Sequence, residues 1–416
     1  MARARYRVRG LAAHAFMRIL YHHRTRGREV EGVHIRGIVH ALRELGQDVS
    51  VLSFPGADPE KETVPVNDRS SSAPARSGGR LAALVARTPG VFFELLELAY
   101  NLPSWVRVAA RIRRARPHLI YERYSLYLCA TVWQARRQGI PIILEINDSA
   151  LVPRVRPLIL KSLARRIERW CLRNCTGLVF ISTCFRDIAE RAYGDISRSV
   201  VSPNAADIGR FDPARFDRET LRAARGITDG IVCGYVGGFV HWHGIAEFVS
   251  RIAPQMASAP HLTLLLVGAG ADLAAVRSVV AEHELSGRIL TPGRVDHAEV
   301  PEWIACMDYA VLPNSNEYGS PMKLFEFMAM GVAVVAPDYA PIAEVIADGD
   351  TGWLFPKGQV DMCVRRVLDM SARQDDLAKV GHTARAYIAR ERQWRNNAEQ
   401  LLSLVPGAEV TPTPTT

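Results

Sequence analysis

The sequence predicts an α/β protein built from two Rossmann-like domains, each organised around a parallel sheet. Short apolar runs of buried-strand type alternate with helical segments along the chain, and this alternation is typical of parallel sheets. The alternation begins near residue 19 and begins again near residue 231. A chain of 416 residues is also longer than one hydrophobic core usually organises, which favours two domains.

The composition excludes several classes of protein. Hydrophobic residues make up 48% of the chain and charged residues 23%, as in ordinary globular proteins. No apolar run is long enough to cross a bilayer, and the longest, residues 81–106, is predicted as an amphipathic helix because charged residues, Pro and Gly interrupt it. Of seven cysteines only Cys171 and Cys175 are close in sequence, so we expect buried thiols, no metal site and a cytoplasmic location.

The N-terminal residues 1–16 form a basic extension with four arginines. They lack the apolar segment and cleavage site of a secretory signal, so we expect a disordered extension. Met17 would serve as a start in its own right, and the sequence leaves both starts open.

Charge is divided unevenly along the chain. Residues 1–210 hold 34 basic and 18 acidic side chains, a net +16, and the remainder holds 18 against 25, a net −7, which gives the chain its +9. The basic residues are densest in 107–116 and 154–173. A basic amphipathic helix at 154–173 fits either an anionic membrane surface or an arginine-rich solvated face. No nucleic-acid-binding motif is present, so we expect no nucleic-acid partner.

Five strands and two further helices are predicted in the first half. The strands are residues 19–21, 49–52, 118–121, 141–145 and 178–182, and the helices are 33–45 and 128–139. Residues 55–80 are rich in Pro, Ser and Gly and are predicted to form a mobile surface loop. Gly32 precedes the first helix, where a glycine lets backbone N–H groups approach an anion.

Polar residues follow three of these strands, at the sheet edge where α/β proteins bind ligands. The candidates for contacting a substrate or for catalysis are His22, His23, Arg24, Glu122, Arg123, Glu145, Asn147 and Asp148. Two other interpretations stay open. The histidine pair could be structural, and Asn147–Asp148 could form a turn, which that dipeptide favours.

The second half repeats the pattern. Its predicted strands are residues 231–236, 262–267, 289–290, 308–312, 332–336 and a short strand near 353. The first strand is followed by Gly237, Gly238 and a polar loop ending in His243 and Gly244, which suits a diphosphate. Gly268 follows the second strand, and Arg294 and Val295 follow the third. Beyond the last strand the chain is predicted to be helical to about residue 405.

One helix is flanked by two of these strands. Ser320 is predicted as its N-cap, Pro321 as part of its first turn and Gly331 as its C-terminal stop. Glu326 lies among apolar neighbours, where a carboxylate costs free energy unless it is hydrogen-bonded. Two ribose hydroxyls would satisfy it, and a solvated glutamate is the simpler alternative.

The stretch from Ser320 to Ala336, Ser-Pro-x-Lys-x-Phe-Glu-Phe-Met-Ala-x-Gly-Val-x-Val-Val-Ala, resembles the signature of family-4 retaining glycosyltransferases. The resemblance covers about residues 17–400. It implies a GT-B fold, in which two facing Rossmann-like domains form a cleft and a C-terminal helix returns to the first domain.

The resemblance also sets domain bounds. It implies an acceptor-binding domain at 17–208 and a nucleotide-sugar-binding domain at 209–390. A helix at 391–405 then crosses back, and we expect the Thr/Pro-rich tail at 406–416 to be disordered.

In this family the glutamate matching Glu326 holds the donor ribose. The residues that the resemblance or their position assigns to donor binding are Gly32, Gly237, Gly238, His243, Gly268, Arg294, Val295, Ser320, Pro321, Lys323, Leu324 and Glu326. Those assigned to the acceptor are His22, His23, Arg24 and Arg123, and those assigned to catalysis are Glu145, Asn147, Asp148 and Glu317.

The chain departs from the family pattern at several positions. Tyr318 stands where the family has a second carboxylate, and Glu317 is one residue away. Either a one-residue shift of the loop brings Glu317 into that place, or the chain does without this carboxylate. Asn147 stands where many relatives have a histidine. Gly238 and His243 replace an arginine and a lysine, so backbone donors, a helix dipole and a protonated His243 are expected to carry more of the diphosphate charge.

The implied function is transfer of a hexosyl or N-acetylhexosaminyl unit from a UDP- or GDP-linked sugar to a hydroxyl acceptor, with retention and without a metal or other cofactor. We expect the acceptor to be a sugar or lipid-linked intermediate of cell-surface polysaccharide or glycolipid, and the protein to contact the inner face of the membrane peripherally. The alternatives are a soluble acceptor of secondary metabolism, a nucleotide-sugar epimerase, and an inactive donor-binding homologue.

Overall fold

A computed structural model describes residues 16–27, 30–54, 57–60, 90–154, 156–227 and 230–407. The chain divides into two compact units. Unit 1 consists of Met1–Ser202 and Asn397–Thr416, and unit 2 consists of Pro203–Asn396. Almost all of the predicted N-terminal extension, most of the predicted loop 55–80 and the tail from residue 408 lie outside the described residues.

Unit 1 contains a six-stranded parallel sheet. Its strands are β1 (Arg18–His22), β2 (Asp48–Leu52), β3 (Leu119–Arg123), β4 (Ile142–Ile146), β5 (Gly177–Phe180) and β6 (Ser199–Val201). Their order across the sheet is β2-β1-β3-β4-β5-β6, and every neighbouring pair is parallel. The five strands predicted in this half are confirmed, and β6 adds a short sixth.

The helices of unit 1 begin and end partly where the sequence predicts. They are α1 (Val30–Glu44), α2 (Gly90–Ala99), α3 (Asn101–Ala115), α4 (Ala130–Gln138), α5 (Lys161–Asn174) and α6 (Thr183–Tyr193). Three predictions need correction. The helix predicted at 33–45 begins three residues earlier, and the basic helix predicted at 154–173 begins only at Lys161. Of the helix predicted at 81–106, residues 81–89 lie outside the described residues, and the remainder is not one helix because α2 ends before Tyr100.

Unit 2 contains a second six-stranded parallel sheet. Its strands are β7 (Ile231–Val236), β8 (Leu262–Val267), β9 (Ile289–Gly293), β10 (Tyr309–Val311), β11 (Ala333–Pro337) and β12 (Trp353–Phe355). They are ordered β12-β11-β10-β7-β8-β9. Because β7 lies in the centre, its side chains alternate between two apolar cores: Cys233 and Tyr235 enter one, and Val232 and Val236 enter the other.

Nine α-helices follow the start of unit 2 in the described residues. They are α7 (Arg218–Ala224), α8 (Ile245–Ile252), α9 (Leu273–Glu282), α10 (Val300–Ala305), α11 (Met322–Ala329), α12 (Ala340–Ala343), α13 (Val360–Ser371), α14 (Gln374–Glu391) and α15 (Trp394–Leu402). The last of them continues from unit 2 into the residues assigned to unit 1. Among the helices of the described ranges, none has the length and apolar character needed to cross a bilayer.

Helix α11 begins later than the sequence predicts. Pro321 occupies the N-cap position and makes no side-chain cap, while the Ser320 hydroxyl accepts the backbone N–H of Asn204 at 3.0 Å. The prediction of Ser320 as N-cap is therefore wrong. The predicted stop is confirmed. Gly331 follows the last helical turn and has a positive φ of 72°, the left-handed conformation in which a glycine commonly ends a helix.

Helix α14 packs closely against the end of α11. A Cβ added to Gly381 would collide with the backbone carbonyl oxygen of Gly331. The Arg385 guanidinium donates to the carbonyl oxygens of Ala329 and Phe211, the latter at 3.1 Å. Two consecutive turns of α14 thus hold the C-terminal end of α11, and the glycine allows the backbones to approach.

The close approach at Gly381 predicts that an alanine at this position lowers the stability of the protein. Gly381→Ala gains helix propensity but forces two backbones apart, so we expect a net loss of about 1–3 kcal/mol, as for other overpacked sites. Thermal unfolding of the full chain should show a midpoint lowered by several degrees. Gly287→Ala is the matched control, since its added Cβ meets nothing within 4 Å. An unchanged midpoint for Gly381→Ala would contradict this account of the contact.

Candidate active site

Two glycine-bearing loops stack at the C-terminal ends of β7 and β8. Gly237 and Gly268 have positive φ angles of 148° and 141°, which side-chain-bearing residues rarely adopt. A Cβ on Gly268 would collide with the Gly237 carbonyl oxygen. The Gly237 N–H donates to Val267 at 3.0 Å, and the Gly268 N–H donates to Gly293 at 2.8 Å. These bonds fix both loops against the neighbouring strand ends.

Lys323 lies beside the first of these loops. Its Nζ donates to the Tyr235 hydroxyl at 3.3 Å and lies 4.6 Å from the centre of the Tyr235 ring. A Cβ on Gly237 would lie too close to this Nζ, so a side chain there would displace the ammonium from this position. Burial lowers the pKa of Lys323 to about 7, although nearby Glu326 opposes the shift. Near neutral pH the amine therefore exists in both protonation states.

His243 completes a polar chain around Gly238. The Gly238 carbonyl oxygen lies 2.8 Å from both the Tyr235 hydroxyl and His243 Nδ1. A carbonyl oxygen only accepts, so Nδ1 carries a proton and donates to it. Burial, with help from Lys323, lowers the pKa of His243 to about 4. The imidazole is thus mainly neutral at pH 7, which differs from the protonated His243 expected from the sequence.

Glu326 is buried on α11, with 6% of its surface exposed. Its Oε1 lies 3.3 Å from His297 Nε2, across a separation of 29 residues. Sequence reasoning missed His297. The signal was available, because His297 follows the C-terminal end of β9 just as other candidate residues follow their strands. The histidine supplies a polar neighbour that the buried carboxylate needs.

The other residues predicted to bind a donor occupy different environments. The Asn204 side-chain amide donates to the Ser320 carbonyl oxygen at 2.5 Å, which ties Ser320 and Pro321 to the chain entering unit 2. Leu324 is buried in an apolar core, so its side chain is structural. Arg294 is exposed, and Val295 is half-buried against the same core.

Glu317 lies on the surface. Both of its carboxylate oxygens accept from Lys357 Nζ at 3.0 Å, and 61% of its side-chain surface is exposed. An exposed ion pair of this kind contributes little to stability. The neighbouring Tyr318 is half-buried. The structure thus shows the partner of Glu317, and its predicted catalytic role stays a prediction.

A buried carboxylate organises the C-terminal edge of the sheet in unit 1. Glu145 accepts from Arg123 at 2.6 Å and from Tyr121 at 2.7 Å, and His34 Nε2 lies 3.0 Å away. The Asn147 amide also donates to it. Burial alone would raise the pKa of Glu145, but His34 and Arg123 beside it lower the pKa well below its usual value. Glu145 is therefore a fixed negative charge that orients four side chains.

Asp148 is held on the other side of the same loop. Its Oδ2 accepts from Arg154, and its Oδ1 accepts the backbone N–H of Ser149 at 2.8 Å. The second contact is the local turn that the Asn-Asp dipeptide favours. Its carboxylate is partly exposed, at 39% of the side chain.

The histidine pair after β1 is buried. His22 Nδ1 lies 2.5 Å from Glu122 Oε2 and 3.3 Å from the Thr131 hydroxyl. His23 Nδ1 lies 3.1 Å from the Thr25 hydroxyl, and burial lowers the pKa of His23 to about 4. Glu122 Oε1 and His23 Nε2 are buried without a hydrogen-bond partner among the described residues. These two atoms have hydrogen-bonding capacity that the fold itself does not use.

Contacts within the fold account for the positions of Arg24 and Gly32. The Arg24 guanidinium lies 4.5 Å from the centre of the Tyr100 ring and 3.7 Å from Glu97. Gly32 lies in the first turn of α1, where a Cβ would collide with the Gly27 carbonyl oxygen. The packing of the loop before α1 is therefore sufficient to require a glycine at this position.

Family models match most of both units. Residues 31–205 match the model described as "Glycosyl transferase 4-like domain", and residues 230–373 match "Glycosyl transferases group 1". A 2-deoxystreptamine glucosyltransferase of Streptomyces kanamyceticus is 26% identical over 81% of this chain and 89% of that protein. A phosphatidyl-myo-inositol mannosyltransferase of Mycolicibacterium smegmatis is 26% identical over 59% of this chain and 61% of that protein.

Solved structures show the same fold. The glycosyltransferase from Rickettsia africae ESF-5 has a TM-score of 0.68 at 15% identity, covering 93% of this chain and 96% of its own. The Anabaena protein Alr3699/HepE in complex with UDP has a TM-score of 0.67 at 17% identity, covering 93% and 99%. With its two six-stranded parallel sheets and both matched models, the chain belongs to the family-4 type of glycosyl transferases group 1 and has the two-domain Rossmann-like GT-B fold.

Proposed function

We propose that the chain is a retaining glycosyltransferase of cell-surface polysaccharide or glycolipid assembly. It moves a hexosyl or N-acetylhexosaminyl unit from a UDP- or GDP-linked sugar to a hydroxyl acceptor. The observation that carries the proposal is the placement of Lys323 and Glu326 three residues apart on α11, with Lys323 against the glycine loop after β7. Relatives named for mannosyl transfer to phosphatidylinositol and for lipopolysaccharide core biosynthesis support the setting.

The diphosphate of the donor needs positive charge and hydrogen-bond donors as its bond to the sugar stretches. Lys323 supplies a cation, and the loop from Gly237 to Gly244 leads directly into the N-terminus of α8. Backbone N–H groups and the helix dipole favour an anion there. In this proposal the protein's own groups stabilise the leaving diphosphate, with the nucleotide sugar as co-substrate and no resident cofactor.

Glu326 holds the ribose of the donor. A carboxylate accepts from two neighbouring hydroxyls, which would satisfy the buried charge. His297, 3.3 Å from Oε1, orients the carboxylate from the other side. Glu326 thus fixes the nucleoside end of the donor while Lys323 meets its diphosphate.

The acceptor binds at the C-terminal edge of the sheet in unit 1. Arg123, oriented by Glu145, offers guanidinium donors there, and the buried His22–Glu122 pair at the same edge has a carboxylate oxygen without a hydrogen-bond partner in the described residues. Arg24, His23, Asn147 and Asp148 surround this edge. No side chain in the described residues stands out as a covalent nucleophile, so we propose attack on the same face that the diphosphate leaves.

Unit 1 also carries an apolar surface suited to a membrane. Large side chains project into solvent from α2 and α3: Phe92, Leu95, Leu96, Leu102 and Val106, which are 46–75% exposed. The buried Glu94 anchors α2 by accepting from the Tyr127 hydroxyl at 2.6 Å and from the backbone N–H groups of Ile159 and Leu160.

Because α2 is anchored, its apolar side chains point outward from a fixed helix. The basic balance of this half adds attraction to anionic lipid. We propose that this apolar surface contacts the inner face of the membrane, where a lipid-linked acceptor is found.

The direct test is release of nucleotide diphosphate from a panel of UDP- and GDP-sugars, with and without lipid-linked acceptors. Glu326→Ala should weaken donor affinity about 10- to 100-fold, since hydrogen bonds to a charged group are worth about 1.5–3 kcal/mol. Glu282→Ala, an exposed glutamate on α9, is the control. Unchanged turnover of Glu326→Ala would contradict the ribose assignment. Sugar epimerisation without nucleotide release would favour an epimerase, and binding without turnover an inactive homologue.

Donor affinity should depend on pH through Lys323. In the free protein the amine has a pKa of about 7, and only its protonated form attracts the diphosphate. Affinity for a nucleotide sugar should therefore be highest below pH 7 and fall up to tenfold per unit above it, as linkage requires. Calorimetric titration from pH 6 to 9 measures this. Lys323→Arg, which stays charged, should flatten the profile, and a flat profile in the unaltered chain would contradict the role of Lys323.

Membrane contact is tested with vesicles of phosphatidylglycerol and of phosphatidylcholine. Leu95→Glu combined with Leu102→Glu should reduce sedimentation with the anionic vesicles by about tenfold or more, because burying one leucine contributes about 1.5–3 kcal/mol. Added salt should weaken binding further. Met362→Glu, an exposed apolar residue in unit 2, is the control. Equal binding by the double variant would exclude this surface as the contact.

A further inference from the structure

A groove lies between the C-terminal halves of α4 and α5, and the proposed activity does not use it. Its lining consists of Trp133, Arg136, Arg137, Trp170 and Asn174, around a volume of about 450 Å³. Helix α4 ends just before β4 begins, and α5 ends just before β5 begins. The groove therefore lies toward the N-terminal edge of the sheet, whereas His22, Arg123 and Glu145 lie at the C-terminal edge.

The aromatic side chains of the groove are held in place by packing and by a hydrogen bond between helices. The Trp133 ring is 4.1 Å from the Trp105 ring on α3, centre to centre, yet 41% of Trp133 stays exposed. Gln134 Nε2 donates to the Trp105 carbonyl oxygen at 2.6 Å, which ties α4 to α3. Trp170 is half-buried on the facing helix, so indole groups line both walls.

The charge in the groove has one sign. Arg136 and Arg137 lie in the last turn of α4, and the Arg137 guanidinium lies 5.4 Å from the centre of the Trp133 ring. Within the described ranges neither arginine forms an ion pair with a carboxylate, and none of the five lining residues is acidic. Two guanidinium groups beside an aromatic face make a site for a planar-faced ligand that carries an anion.

The side chains of the groove select among anionic ligands. The exposed aliphatic side chains of α2 and α3 suit a bilayer, whereas the exposed apolar groups of this open groove are indole rings beside guanidinium groups. A pyranose ring presents a C–H face to an indole and a polar rim to side-chain donors. In a uronic acid the carboxylate lies at that rim, where Arg137 is held against Trp133.

We propose that this groove is an accessory binding site for an acidic saccharide, with a uronic acid seated against Trp133 and Trp170 and its carboxylate on Arg136 and Arg137. The inference rests on the proposed function in polysaccharide or glycolipid assembly. It adds to that function a second saccharide site, separate from the reaction edge of the sheet. Such a site retains a growing anionic chain near the enzyme between transfers.

The test is calorimetric titration of the full chain with a galacturonic acid hexamer, a neutral maltohexaose, a deoxythymidine hexamer and phosphatidylglycerol vesicles. The acidic hexamer should bind the unaltered chain, and added salt should weaken it. Arg136→Gln with Arg137→Gln should weaken that binding at least about tenfold, as loss of a charge-assisted hydrogen bond does. Trp133→Ala should weaken it as well.

Arg113→Gln with Arg114→Gln is the control, since these two arginines form an equivalent exposed pair in the last turn of α3. Thermal unfolding of each variant checks that unit 1 still folds. The inference is overturned if the acidic hexamer does not bind or if maltohexaose binds equally well. It is also overturned if the groove variants lose only the nucleic-acid or vesicle binding. Nucleotide release from donor sugars is measured separately, so loss of the saccharide site and failure of the proposed transfer are distinguishable.

Discussion

Backbone contacts that only glycine permits determine the geometry of the candidate donor site. Gly381 lets α14 approach the end of α11, and Gly237 and Gly268 let two loops stack beside Lys323. A glycine within a helix such as α14 costs about 1 kcal/mol relative to alanine. The closeness of the backbones at Gly381 requires that cost, because a side chain there would displace α14 from the end of α11. The positions of Lys323 and Glu326 therefore depend on residues that carry no functional group themselves.

Unit 1 shows how two carboxylates at the same sheet edge acquire different roles. Glu145 has Arg123, His34, Tyr121 and Asn147 as neighbours, and removing one partner from such a buried charge typically costs about 3–5 kcal/mol. These contacts hold the four side chains in place, and the predicted catalytic role of Glu145 stays a prediction. One carboxylate oxygen of Glu122 contacts His22, and the other has no hydrogen-bond partner among the described residues. The unused hydrogen-bonding capacity at this edge thus lies with Glu122 Oε1 and His23 Nε2.

Local patterns in the sequence predict the strands, most helices and the stop at Gly331, because hydrophobic periodicity and glycine conformation are properties of neighbouring residues. They do not predict partners that folding brings from afar. His297 is 29 residues from Glu326, Lys357 is 40 from Glu317, and Asn204 is 116 from Ser320. The contact with Asn204 explains why Ser320 does not cap α11. The Ser320 hydroxyl accepts the Asn204 backbone N–H, and the residues next to Ser320 in the sequence do not predict that partner.

If unit 2 binds a diphosphate as proposed, the pKa values of its side chains remove the need for fixed cations. An arginine beside Tyr235 would stay ionised at all times and bear the full cost of desolvation. Lys323, with a pKa of about 7, can lose its proton there, and His243, with a pKa of about 4, is already neutral. A bound diphosphate favours the charged forms and raises both pKa values. In that proposal positive charge develops mainly on diphosphate binding, which is compatible with the aromatic and apolar residues packed around Lys323 and His243.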